Sequence, residues 1–270
     1  MTPKTVVVLG KPRSGTSLTA GILSILGVDM EGDSTPTPFN PKGAYEDLEF
    51  DDINWNILQT AGGDDLLSPP PLSRVLEQRD QYAQRLQEFF SKKAKPHIWG
   101  WKKPSTSLLI ELFLPYLVNP YFVVVLRNPI GNAQSLVEFV RHRDPTVTFL
   151  DMLKISNYFD REIFEFLGRH KNLPTLFVSF EEIVCDPVKE ATRLAEFLGL
   201  GLDGKQADRI RTFCIPREGI SIQKKLGFLK GLPYKVARLG QKCYRNPRNV
   251  GGYLTQAVRL TINVFCKRQG

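Results

Sequence analysis

The sequence predicts an α/β protein: a central parallel sheet with helices on both faces, three layers in all, followed by a mostly helical basic tail. Three observations predict it. Continuous apolar, β-branched runs such as KTVVVLG (Lys4–Gly10) and YFVVVLR (Tyr121–Arg127) have the pattern of strands buried on both faces. Amphipathic helical stretches separate those runs, and strands that alternate with helices pair in parallel. The first strand also passes through a glycine loop directly into a helix, the opening half of a βαβ unit. With 270 residues, 42% of them hydrophobic, the chain can pack one large domain and an appendage.

Each element follows in order. From Thr16, TSLTAGILSILG places Leu18, Ile22, Ile25 and Leu26 on one helical stripe and stops at Gly27. Residues 28–47, VDMEGDSTPTPFNPKGAYED, are rich in Pro, Gly, Asn and Asp and read as one long loop, a length that points to function. A helix over Leu48–Leu58 follows, then a rigid break at SPPPLS (Ser68–Ser73) and one polar amphipathic helix over Arg74–Lys93. HIWGWK (His97–Lys102) is the second strand, and Ser105 is placed to N-cap the helix running towards Leu117. After the third strand, Pro129 sits at a helix start, where its missing N–H costs nothing. A long amphipathic helix spans Phe149–His170. LPTLFVSF (Leu173–Phe180) is the fourth strand, and a helix begins at Asp186–Pro187 and ends at Gly199. The α/β domain is drawn over residues 1–215. Residues 216–270 form a basic extension packed on or covering it, with an amphipathic helix at Tyr253–Cys266.

Net charge is +8, and unevenly spread: Lys224 to Arg268 hold many Lys and Arg and no Asp or Glu. That balance suits an anionic ligand or an acidic surface. No interleaved aromatic platform or recognition helix accompanies it, so a nucleic-acid partner is not expected. Cys185, Cys214, Cys243 and Cys266 lack C-x-x-C spacing and only three histidines are present, so the thiols read as idle and no zinc site is expected. No apolar run is long enough to span a membrane, and MTPKTVVVLGKPRSG leaves no room for a signal peptide. A cytoplasmic location without stable membrane insertion is expected.

Ligands of parallel sheets gather at the carboxyl ends of the strands. In LGKPRSGTSLTAG, Gly10 and Gly15 are spaced as in the nucleotide-binding loop G-x-x-x-x-G-K-S/T, but Thr16 stands where the lysine belongs, and a cation, Arg13, lies inside the loop. Backbone N–H groups of Ser14, Gly15, Thr16 and Ser17 face a bound anion at the helix start, the hydroxyls of Thr16 and Ser17 add donors, and Arg13 adds a bidentate charge. The second strand ends in Lys102–Lys103 and the third in Arg127, neither an acidic end suited to magnesium, so cations rather than a metal are expected to neutralise the ligand.

KPRSGTSL resembles the 5′-phosphosulfate loop, P-K/R-S/A-G-S/T-S/T, of the sulfotransferases that use 3′-phosphoadenosine 5′-phosphosulfate (PAPS). Arg127–Asn128–Pro129 followed by Ser135 is similar to the family's 3′-phosphate motif, and WGWKKPSTSLL to its K-D-P segment, with Lys102 beside the sulfuryl group. In that segment Lys103 replaces an aspartate, and Pro104 stands where cytosolic relatives have a catalytic histidine; His97, His142 and His170 lie at no motif strand end. VSFEEIVCDPVKEATRLAEFLGL resembles the segment whose tyrosine packs on the adenine, here Phe180. FNPKGAYEDLEF resembles the N-P-K-G-x-F/Y-E-D segment of the bacterial and carbohydrate-type branch. It implies Glu46 as the base, with Asp47 as runner-up, although such a pair before a helix is also an ordinary N-cap arrangement.

The resemblance covers Lys4–Leu200 and implies a P-loop-like fold, PAPS as donor and no metal. Arg13, Ser14, Gly15, Thr16 and Ser17 would hold the phosphosulfate, and Arg127, Ser135 and Phe180 the adenosine 3′-phosphate end. Arg217 or Lys224–Lys225 would stand in for the basic loop that closes over the 3′-phosphate in many relatives. The implied reaction is sulfuryl transfer to a hydroxyl, or alternatively an amine, of a small molecule or glycan, with Glu46, Lys102 and Arg13 as catalytic groups. The competing readings are a P-loop kinase or NTPase and a nucleotide-binding protein that has lost its chemistry.

Overall fold

The computed structural model describes residues 3–30, 32, 35–36, 40, 42–93 and 97–215. The basic extension 216–270, with Arg217, Lys224 and Lys225, lies outside the described residues.

Five parallel strands form one sheet in the order β2-β3-β1-β4-β5: β1 (Lys4–Leu9), β2 (Asp29–Met30), β3 (Ile98–Lys102), β4 (Pro120–Leu126) and β5 (Thr175–Ser179). The register sets Val8 beside Lys102, Leu9 beside Val124, and Leu126 beside Ser179, so the ends of β1, β3, β4 and β5 open on one edge. Successive side chains point to opposite faces, and the continuous apolar runs therefore feed two cores. Val7, Leu9, Trp99, Trp101, Phe122, Val124 and Phe177 pack towards α2 (Leu48–Thr60), α4 (Arg79–Lys93), α5 (Thr106–Phe113) and α7 (Phe149–Arg169). Val6, Val8, Ile98, Val123, Val125 and Val178 pack towards α1 (Thr16–Ile25), α9 (Pro187–Leu198) and α10 (Gly204–Cys214). The remaining helices are α3 (Leu72–Leu76), α6 (Pro129–Val140) and α8 (Phe180–Cys185), with a 3₁₀ turn at Leu114–Tyr116.

The three-layer α/β expectation and all four predicted strands are present, and four readings are corrected. The 28–47 loop contains β2, a two-residue edge strand too short to carry a period. The helix over Arg74–Lys93 is two helices, α3 and α4, broken at Glu77–Gln78; Val75, Tyr82, Leu86 and Phe89 keep helical phase across the break, so the pattern hid it. Ser105 occupies the N-cap position of α5 but its hydroxyl donates to Asn54 Oδ1 at 3.3 Å, and its backbone is already helical. Helix α10 was not foreseen, although Asp203 and Gln206 form a reciprocal capping box that marks its start.

Candidate active site

The loop between β1 and α1 is tied down residue by residue from different elements. Ser107 of α5 accepts from Gly10 N at 3.0 Å and donates to Gly10 O at 3.2 Å. The Lys11 ammonium is buried and donates to Asp160 Oδ2 of α7 at 2.6 Å. Asn132 of α6 donates to Pro12 O at 2.8 Å. Arg13 has φ 64°, a left-handed value strained for arginine, and Arg127 donates to its carbonyl at 2.5 Å. Gly15 caps α1 at φ 99°, and a Cβ there would meet the Phe180 ring at 2.5 Å. Only glycine satisfies both conditions.

Other donors of the loop are not used in this anchoring. The first N–H groups of α1 have no intrahelical acceptor, and Thr16 and Ser17 begin that helix. Ser14 is fully buried and its hydroxyl has no hydrogen-bond partner among the described residues. Burial lowers the pKa of the Arg13 and Arg127 guanidiniums, with Glu138 opposing the shift in both. Two desolvated guanidiniums side by side gain from an anion. Arg13 Nε lies 3.4 Å from Ser135 Oγ, and the Arg127 guanidinium lies 4.3 Å from the Phe180 ring centre. Arg13, Arg127, Ser135 and Phe180 thus meet at one place. Ser135 faces Arg13 here, whereas the motif associates it with Arg127.

Across the same edge, Lys102 ends β3 with its side chain 1% exposed and ion-pairs with Glu46 Oε1. Lys103 reaches Glu46 Oε2 at 2.8 Å and ion-pairs with Asp51 Oδ1 of α2 at 2.8 Å. Burial pushes the Glu46 carboxyl up, but the two ammoniums outweigh it and the net pKa is lowered. Lys102 is lowered by burial despite Glu46. For Lys103, burial is outweighed by Glu46 and Asp51, and its pKa is raised. Gly32, at φ 115°, packs so closely that a Cβ there would stand 2.4 Å from Glu46 N. Asp47 is occupied differently: Oδ1 accepts from Phe50 N at 2.8 Å as the cap of α2, and Oδ2 pairs with Lys93 at 2.8 Å. His97 pairs with Asp29, and His170 with Glu111, both away from the carboxyl ends of the strands. Sequence reading gave no role to Ser107, Asn132, Asp160 and Asp51, which are not among the residues that define the motifs.

A family model described as "Sulfotransferase family" matches residues 3–204. The chain belongs to the sulfotransferase family. It is a PAPS-dependent sulfotransferase, with PAPS as its donor. No curated protein matches it significantly. Among solved structures it is similar to the sulfotransferase domain from the curacin biosynthetic pathway, at 13% identity over 76% of each chain and a TM-score of 0.47. It is also similar to sulfotransferase STF9 from Mycobacterium avium, at 16% identity over 79% of this chain and 68% of that one, TM-score 0.47. A retinol dehydratase in complex with androsterone and inactive cofactor PAP matches at 16% identity over 94% of this chain and 79% of its own, TM-score 0.44. No helix of the described residues is long and apolar enough to cross a membrane, and no group of three or more His, Cys, Asp or Glu among them could hold a metal ion. The unpartnered Ser14 hydroxyl, the start of α1 and the two desolvated arginines fit a bound anion.

Proposed function

We propose that this sulfotransferase moves the sulfuryl group of PAPS to a hydroxyl of a small molecule or glycan, an amine being the alternative acceptor. The observation that carries the reading is the Glu46–Lys102 pair at the end of β3, which sets an ionised proton acceptor against a buried cation beside the β1–α1 loop. When bound, PAPS supplies the activated sulfuryl group on a bisphosphorylated leaving nucleotide.

Arg13, Ser14, Gly15, Thr16 and Ser17 are assigned to the phosphosulfate, by backbone N–H groups, hydroxyls and one guanidinium. Arg127 and Ser135 are assigned to the 3′-phosphate, and Phe180, already stacked on Arg127, to the wall beside the adenine. Sulfuryl transfer asks little covalent work of a protein and much positioning and charge stabilisation. Arg13 and Lys102 are the cations for charge that builds as the sulfur–oxygen bond breaks. Glu46 Oε takes the proton of the acceptor hydroxyl, and its lowered pKa keeps it ionised at neutral pH. Asp47 is the weaker candidate, since its oxygens already serve Phe50 N and Lys93. The Lys102 ammonium has three N–H donors and gives one to Glu46, so it could also meet a phosphosulfate, and sharing its charge with a second anion would make Glu46 a stronger base.

Thermal shift tests the donor half. Stabilisation by 3′,5′-bisphosphoadenosine (PAP) without magnesium, and none by Mg-ATP, is expected, and the opposite pattern returns the chain to the kinase reading. Labelled PAPS offered with hydroxylated small molecules, oligosaccharides and amines tests the other half. Transfer confined to amines overturns the hydroxyl assignment, and PAP binding without transfer to any of these acceptors favours a protein that has lost its chemistry.

A further inference from the structure

We infer that Lys103 positions the Glu46 carboxylate and tunes its basicity, with Asp51 as the counter-ion that holds Lys103 in place; this rests on Glu46 being the proton acceptor. The sequence departs from the K-D-P segment here, putting a second cation where the family has an acid.

Three features of the structure lead to this role. First, the two Glu46 oxygens are divided between two lysines, Oε1 to Lys102 and Oε2 to Lys103. A carboxylate has about four acceptor positions, so each oxygen keeps one for an acceptor proton while both lysines hold its orientation. Second, the two lysines differ in freedom. Lys102 is 1% exposed and among the described residues ion-pairs with Glu46 alone, whereas Lys103 is 18% exposed and shared with Asp51. When Lys102 gives hydrogen bonds to a donor anion, Lys103 is the cation that keeps Glu46 ionised and in place. Third, Lys103 is anchored at both ends. Its carbonyl accepts from Thr106 N at 3.0 Å in the turn into α5, and its ammonium meets Asp51 in the first turn of α2.

Among the described residues, the charged groups that couple to Glu46 are Lys102 and Lys103 at the end of β3, Asp51 from α2 and Asp65 from the loop after α2. Burial raises the pKa of both aspartates and their charges oppose ionisation of Glu46, so the lysines must outweigh burial and two like charges.

The test uses the full chain labelled with 13C at the glutamate carboxyl, with PAP present or absent. The Glu46 resonance is identified by its loss in Glu46→Gln. Lys103→Met is expected to raise the Glu46 midpoint by about one pH unit, the scale for losing a neighbouring opposite charge. Lys103→Arg, which keeps the charge, should leave it near wild type. Asp51→Asn should lower it, because a like charge is removed and Lys103 turns wholly to Glu46. A Glu46 midpoint unmoved by Lys103→Met, or moved the same way by Lys103→Met and Asp51→Asn, overturns the inference, since general loosening would not give opposite signs. The acid limb of PAPS turnover, measured on the same variants with an acceptor found by the screen above, should move with the resonance. If the resonance moves and the limb does not, Lys103 still tunes Glu46 but Glu46 is not the base.

Discussion

Two buried lysine–carboxylate pairs flank the end of β1, and they are built differently. Lys11–Asp160 is closed: Lys11 is 1% exposed and Asp160 10%, the pair is one to one, and Asp160 Oδ1 has no partner among the described residues. Lys102–Glu46 is open: the carboxylate is 19% exposed and branches through Lys103 to Asp51. Burying charges costs several kcal/mol per ion even in a relaxed protein, so both pairs carry a penalty that packing alone does not explain. The closed pair holds Lys11 out of the ligand side and fixes the loop at the strained Arg13. The open pair keeps a carboxylate reachable and a cation available for exchange. A pair sealed on all sides serves geometry; a pair with a spare anion and a spare cation is the one we propose for chemistry.

Breaking the open pair should give the largest effect. Glu46→Gln is expected to lower kcat by about 10²- to 10⁴-fold, the usual contribution of a general base, while calorimetry finds PAP binding retained or tightened as Lys102 loses its competing anion. Turnover near wild type with normal PAP binding would remove Glu46 as base.

The closed pair should fail in stability first. Asp160→Ala leaves Lys11 buried and unpaired, which costs about 3–5 kcal/mol, read as a lower denaturation midpoint. The double variant Lys11→Met, Asp160→Leu should recover most of that stability, because apolar groups of similar size replace buried ion pairs well. If the pair also fixes the loop, the double variant binds PAP more weakly than wild type despite its recovered stability.

A smaller effect separates Asp47 from Glu46. Asp47→Ala removes the cap of α2 and should cost about 1 kcal/mol, with a loss of turnover far below that of Glu46→Gln. Equal losses would mean that Asp47 takes the proton.

The smallest effect is the sign of the pH dependence. The Glu46 pKa is lowered on folding, so its contribution is present above the ordinary glutamate range and is lost as pH falls through the folded value. The Asp160 pKa is raised by burial, only partly offset by Lys11, so its effect runs the other way: folded stability falls as pH rises from the unfolded value to the folded one. Thermal melts across the acid range should therefore lose stability less steeply towards low pH in Glu46→Gln than in wild type. Asp160→Asn should abolish the opposing slope.

Much of the fold was legible because its signals are local. A continuous β-branched run, a glycine loop and a 3.6-residue stripe can each be read within about a dozen residues, and β1, β3, β4 and β5 were found that way. What escaped was either too short to have a period, as β2, or in phase with its neighbour, as the α3–α4 break. The candidate site divides similarly. Arg13, Ser14, Gly15, Thr16, Ser17 and Arg127 were legible from spacing and from the strand ends they follow, and Lys102 and Glu46 from residue type and resemblance. Asp160, Asn132 and Ser107 were not legible, because an Asp, Asn or Ser on an amphipathic helix looks like surface until packing turns it inward.

By itself the sequence determined a parallel sheet with an anion-binding loop of the sulfotransferase kind, since strand burial, glycine placement and the start of α1 depend on residues close together in the chain. Only the tertiary structure decided which lysine meets which carboxylate. Lys11 and Asp160 are 149 residues apart and Lys102 and Glu46 are 56 apart. Such partners meet only once the strand order places β3 beside β1 and α7 packs behind the loop. Ion pairing depends on distance and desolvation, and both are properties of the packed sheet and its helices, set after the local pattern has been read.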